Sequence, residues 1–119
     1  MFLGLRSTIY PSADLAADKA FWRNALGIEP YFDQPFYVGF NVGGYELGLD
    51  PDTGDTSFGP VAYWGTSNIA ATVAELTTKG AQLQGEVAEV GDGIKMARLK
   101  TTTGTVFGVI ENPHFKTDL

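Results

Sequence analysis

The sequence predicts an α+β fold built from two copies of one βαβββ unit, and three observations carry that prediction. Asp14-Leu15-Ala16-Ala17 aligns with Asn68-Ile69-Ala70-Ala71 at an offset of 54, where Tyr10 also meets Trp64, Ala20 meets Ala74 and Trp22 meets Leu76; a one-residue slip then pairs Gly27 with Gly80. "YELGLDP", residues 45–51, is matched 62 positions later by "FGVIENP", residues 107–113, with Gly108 standing where the first copy has Glu46. Finally, Gly43-Gly44 separates two alternating apolar runs, the pattern of a tight hairpin.

Each element has its own physical warrant. The short apolar stretches "LRSTIY" and "VAYWG" suit opening strands. A helix follows each. Asp14 and Asn68 are good N-caps, because a short side-chain oxygen accepts an unpaired first-turn N–H, and Gly27 and Gly80 stop the helices. Leu15, Trp22 and Leu26 in the first helix, and Ile69, Val73 and Leu76 in the second, fall at helical spacing and are expected in the core. In the hairpin, a two-residue turn sets Val42 opposite Tyr45, Asn41 opposite Glu46, Phe40 opposite Leu47, Gly39 opposite Gly48 and Val38 opposite Leu49. Its face of Val38, Phe40, Val42, Tyr45, Leu47 and Leu49 belongs against helices. The other face, with Tyr37, Gly39, Asn41, Glu46 and Gly48, is small and polar, so it is open to water or lines a cavity. In the second half "IKMARLK" and "TVFGVIE" are strands joined by a turn at Thr101 to Gly104, and "PDTGDTSFGP" reads as the linker between halves. The chain is expected to be one domain: repeat 1 over about 1–52, linker about 52–60, repeat 2 about 61–113.

At 119 residues the chain can bury roughly 65% of its unfolded surface in a single core. It has no cysteine, which excludes disulfides, zinc-thiolate sites and thiol catalysis. Fourteen acidic and eight basic side chains give a net charge of −6, which repels phosphate backbones and anionic lipid, so nucleic acid and membrane are not expected partners. Arg6 interrupts the apolar N-terminus too early for a signal segment, and a cytoplasmic location is expected. The single histidine, His114, has no G-x-S-x-G elbow to serve, "GFNVGG" lacks the Gly-Lys-Ser/Thr ending of a phosphate loop, and Asp50, Asp52 and Asp55 have no closing glutamate for a calcium loop.

The repeated unit, with "DLAADKAFWRNALGIEP", "GFNVGGYELGLDP" and "GVIENPHF", resembles the glyoxalase/bleomycin resistance/dioxygenase group, the vicinal oxygen chelate superfamily, over essentially the whole chain. That resemblance implies a cupped mixed half-barrel and, in metal-dependent members, one ligand on the first and one on the last strand of each unit. Carried over, those positions fall on Ser7, Val61 (or Pro60), Glu46 and Gly108. Only Glu46 offers a good donor, so no metal or other cofactor is expected.

Alternation along the strands turns Leu5, Ser7 and Ile9, Tyr37, Asn41 and Glu46, Val61 and Tyr63, and Met96, Arg98 and Val106 into the expected cup. From these, Ser7, Tyr37, Asn41, Glu46, Val61, Tyr63, Met96 and Arg98 form the candidate ligand site, with Glu46 hydrogen-bonded to Asn41 or paired with Arg98. The expected function is metal-independent binding of a small aromatic or cationic organic molecule, as in drug-sequestering bleomycin-resistance members. The alternative is a lyase, isomerase or dioxygenase type of enzyme in which Glu46 is the catalytic acid or base, or the one remaining metal ligand. The resemblance further implies a homodimer. Of the tail "HFKTDL", only packing by Phe115 is expected.

Overall fold

The computed structural model describes residues 1–52 and 59–116. The strands are β1 (Gly4–Pro11), β2 (Phe32–Gln34), β3 (Tyr37–Val42), β4 (Tyr45–Asp50), β5 (Val61–Gly65), β6 (Gln82–Gly91), β7 (Ile94–Lys100) and β8 (Val106–Glu111); the helices are α1 (Leu15–Leu26) and α2 (Ile69–Thr78). The α+β class and the two βαβββ repeats are thus those the sequence predicts. The chain divides into two compact units, one of residues 7–60 and 116–119, the other of residues 1–6 and 61–115. The boundary therefore cuts β1 after Arg6, and the first six residues go with the second repeat rather than the first. Leu3 N donates to Gly65 O at 2.8 Å there. Most of the expected linker, residues 53–58 with Asp55, lies outside the described residues.

In the first unit the strands run in the order β2-β3-β4-β1. The Gly43-Gly44 turn takes φ of 64° and 95°, and the β3–β4 register is the predicted one, from Val42 opposite Tyr45 to Val38 opposite Leu49. β1 runs parallel to β4, with Ser7 beside Glu46, Ile9 beside Gly48 and Tyr10 beside Leu49. α1 begins where Asp14 accepts from Ala17 N at 3.0 Å and ends at Gly27, in the left-handed conformation at φ 70°. Its Leu15, Trp22 and Leu26 pack with Tyr10 and Leu47 on the buried Val38, Phe40 and Leu49, as their spacing predicts.

In the second unit the order is β5-β8-β7-β6. Asn68 caps α2 by accepting from Ala71 N at 3.1 Å, and Ile69 and Leu76 close on Ala97, Leu99 and Val109. The helix ends at Lys79, one residue before the predicted Gly80, which follows at φ 107°. Two strands that the βαβββ pattern requires, β2 and β6, were given no position by the sequence. β2 is three residues between Pro30 and Pro35, too short to show alternation, and β6 carries two register irregularities opposite β7 that break its period. No helix among the described residues is long and apolar enough to cross a membrane.

The structure also corrects the pairing of the two closing strands. Ser12 N donates to Asp50 O, and Thr66 N donates to Ile110 O, both at 2.9 Å. Ile9 lies beside Gly48, and Tyr63 beside Gly108. The equivalence from Gly48 to Gly108 is therefore a shift of 60, not the 62 read from the matching prolines, and the mate of Glu46 is Val106 rather than Gly108. Buried Leu49 matches buried Val109 at the same shift, and their strand partners Val38 and Ala97 match at 59.

Candidate functional site

The pleat of β4 puts Leu47 and Leu49 toward α1 and leaves Glu46 and Gly48 on the opposite face. That face is not bare. The Tyr37 ring runs along it across Gly48, where a Cβ would sit 2.7 Å from Tyr37 Cζ, and its hydroxyl donates to Glu46 Oε1 at 2.8 Å. The Tyr31 ring lies on Gly39, where a Cβ would sit 3.0 Å from Tyr31 Cε1 and 3.0 Å from Glu46 Oε2, and its hydroxyl donates to that same Oε2. Both glycines are thus spaces taken by tyrosine rings. Glu46 is a carboxylate with one phenolic donor on each oxygen, and both donors are uncharged, so its charge is hydrogen-bonded rather than neutralised.

Tyr31 is the partner of Glu46 that the sequence reading missed. Its backbone N–H donates to Gly39 O at 3.0 Å, just ahead of the pairing of Phe32 with Gly39. Although the residue is 61% exposed, its hydroxyl is turned in against Glu46. Shielding from water, followed by the hydrogen bond to Glu46 and then its charge, pushes the phenol well above its ordinary value. The available signal was negative: two facing glycines, Gly39 and Gly48, leave a hollow that some large side chain fills. Phe32 adds to the aromatic wall, its ring centroid 6.1 Å from that of Tyr37 and 5.9 Å from that of Phe36.

Of the predicted site residues, Ser7, Tyr37, Asn41 and Glu46 lie in the first unit and Val61, Tyr63, Met96 and Arg98 in the second. Ser7 is buried beside Glu46, and Tyr37 bonds it. Asn41 is opposite Glu46 in register as expected, but its Oδ1 accepts from Gly44 N at 2.7 Å and serves the hairpin turn instead. Arg98, the other expected partner of Glu46, stands between Gln84 and Gly108 in register and is exposed, between buried Ala97 and Leu99 on β7. Val61 and Tyr63 are buried, and the Tyr63 ring lies across Gly108, whose Cβ would sit 2.7 Å from its Cγ. Each repeat thus covers its last-strand glycine with a tyrosine, taken from β3 in the first and from β5 in the second.

The residues do not fit the metal of the resembling group. Its four ligand positions hold Ser7, Val61, Glu46 and, by the corrected register, Val106; two have no side-chain donor, and Glu46 already accepts on both oxygens. Among the described residues no three His, Cys, Asp or Glu side chains gather. His114, in the tail, places Nε2 2.9 Å from Asp92 O, and Phe115 packs as expected, under the Arg6 guanidinium at 3.7 Å from the ring centre.

Comparison with known proteins fixes the fold. A variant of Streptomyces coelicolor methylmalonyl-CoA epimerase, solved with 2-nitronate-propionyl-CoA, is similar with a TM-score of 0.78 and 16% identity over 95% of this chain and 99% of that one. A glyoxalase/bleomycin resistance protein/dioxygenase superfamily member from Vibrio splendidus 12B01 gives 0.65 and 19%, over 91% and 99%. A Legionella pneumophila structure described as an NAD-dependent benzaldehyde dehydrogenase gives 0.70 and 12%, over 92% and 98%. No protein-family model matches the chain, and no curated protein sequence matches it. The fold is therefore the one the sequence resemblance implied. With such different chemistries named on it, the likeness extends to the fold alone.

Proposed function

We propose that the protein binds a small aromatic or cationic organic molecule, without a metal, on the face of the first repeat that carries Glu46. One observation carries the proposal: each oxygen of Glu46 accepts from a tyrosine, Tyr31 or Tyr37, so the carboxylate sits as an un-neutralised anion framed by aromatic rings. Aromatic faces around a negative charge attract organic cations through both the ring quadrupole and the charge behind it. The net charge of −6 adds a favourable long-range field for such a ligand. The alternative, in which Glu46 is a general acid or base, is less well supported, since neither oxygen is aimed bare at a substrate proton.

The test is a thermal-shift screen of aromatic ammonium compounds against their neutral isosteres, on wild type and Glu46→Gln. Cations that stabilise wild type and lose roughly tenfold or more in affinity in Glu46→Gln support binding through the carboxylate. Retained affinity in Glu46→Gln, together with turnover that only wild type shows, supports the enzyme instead. A homodimer belongs to the same proposal, because β2 and β6 each leave one side unpaired in their unit; a monomeric mass by light scattering at micromolar concentration would contradict it.

A further inference from the structure

The two tyrosines that hold Glu46 are not equivalent. Tyr37 is half-buried, lies within β3 and is paired with Gln34, so its ring is fixed by the strand that carries it. Tyr31 precedes β2 on the segment that leaves α1, is 61% exposed, and anchors its side chain through one hydrogen bond to Glu46 Oε2. Beneath its ring, Gly39 offers no side chain: the site of the absent Cβ is 3.0 Å from Tyr31 Cε1 and 3.3 Å from Cζ, and Glu46 Oε2 lies 3.0 Å from the same point. The result is a slot with a backbone floor, an anionic oxygen at its end, and a ring of this chain inside it.

Resting on the reading of Glu46 as the anchor of a metal-free binding face, we infer that Tyr31 is a built-in occupant of the ligand slot. The ligand is an aromatic ring bearing a cation with N–H donors, a primary ammonium or an amidinium. It lays its ring on Gly39 and donates to Oε2 in place of the Tyr31 hydroxyl, while Tyr37 keeps Oε1. The exchange is favourable because the cation adds the attraction of a full positive charge to a hydrogen bond that the neutral phenol makes without one. A quaternary ammonium is disfavoured for the converse reason: it has no N–H, so expelling Tyr31 would leave Oε2 without a donor. Tyr31 therefore selects among cations as well as occupying the site.

The experiment is calorimetric titration of benzylamine and of benzyltrimethylammonium into wild type, Tyr31→Phe, Tyr31→Ala and Glu46→Gln. Emptying the slot is expected to tighten benzylamine binding by roughly tenfold in Tyr31→Ala. Tyr31→Phe, which keeps the ring and removes only the competing hydroxyl, should fall between it and wild type, and the preference for benzylamine over benzyltrimethylammonium should be widest in wild type and narrower in both Tyr31 variants, where no hydroxyl has to be expelled. Both Tyr31 variants should still unfold cooperatively but melt modestly below wild type, because they lose the hydrogen bond to Glu46 while the residue lies outside the strands. If wild type binds benzylamine but Tyr31→Ala binds it no tighter, or if the quaternary compound binds equally well, the occupant role is wrong while the Glu46 face stands. If neither probe binds any form, both proposals fall.

Discussion

Glycine at 48 is required by a neighbouring ring rather than by backbone conformation, since a Cβ there would run into Tyr37, 2.7 Å from Cζ. Gly48→Ala should cost roughly 1–3 kcal/mol in urea unfolding, and the cost should largely vanish when Tyr37 is also replaced by alanine. Tyr31 makes a second prediction, on pH. Its phenol titrates above the unfolded value of about 10. Between that pH and the folded value the unfolded chain sheds a proton that the native state keeps, so Tyr31's contribution, intact below pH 10, is lost as pH rises. Tyr31→Phe should flatten the alkaline limb of the stability curve, measured by denaturant unfolding at stepped pH. At this scale the sequence showed part of the site: the Gly43-Gly44 turn fixed Glu46 opposite Asn41 on the small face. It did not show which side chains reach Glu46, because Tyr31 arrives from a segment with no periodicity of its own and Asn41 is diverted to Gly44 N.

Among the elements, the helices were legible because their determinants are local. Asp14 and Asn68 each accept from an N–H three residues on, and apolar spacing chose the buried faces. Replacing Asn68 by alanine should cost about 1 kcal/mol in thermal or denaturant unfolding. The cost should exceed that of a solvent-facing helix substitution, because Ala71 N loses its acceptor, while Ile69 N keeps Glu111 Oε1 at 2.9 Å. β2 and the shift between closing strands were hidden for a non-local reason. Prolines 51 and 113 suggested one alignment, whereas the pairing is set by hydrogen bonds such as Ser12 N to Asp50 O and Thr66 N to Ile110 O. A shared proline says where a strand stops, not which residue faces the neighbouring strand.

Across the whole molecule, each repeat carries its own small core, centred on Phe40 and Leu49 in one and on Leu99 and Val109 in the other. Leu99, fully buried, should lose roughly 2–5 kcal/mol on truncation to alanine, read as a lower urea midpoint. The repeats have diverged where it bears on chemistry: Glu46 in the first is matched by Val106 in the second, and Ser7 by Val61. Two of the four carried-over positions, Val61 and Val106, have no side-chain donor, and the one carboxylate among them is already engaged by two phenols. The central claim is that Glu46 serves those phenols and an organic ligand rather than a metal. Native mass spectrometry of protein prepared without chelators, then offered zinc, manganese, nickel and iron in turn, tests it most directly. The account predicts the bare polypeptide mass throughout; one tightly held ion per chain, abolished by Glu46→Gln, would contradict it.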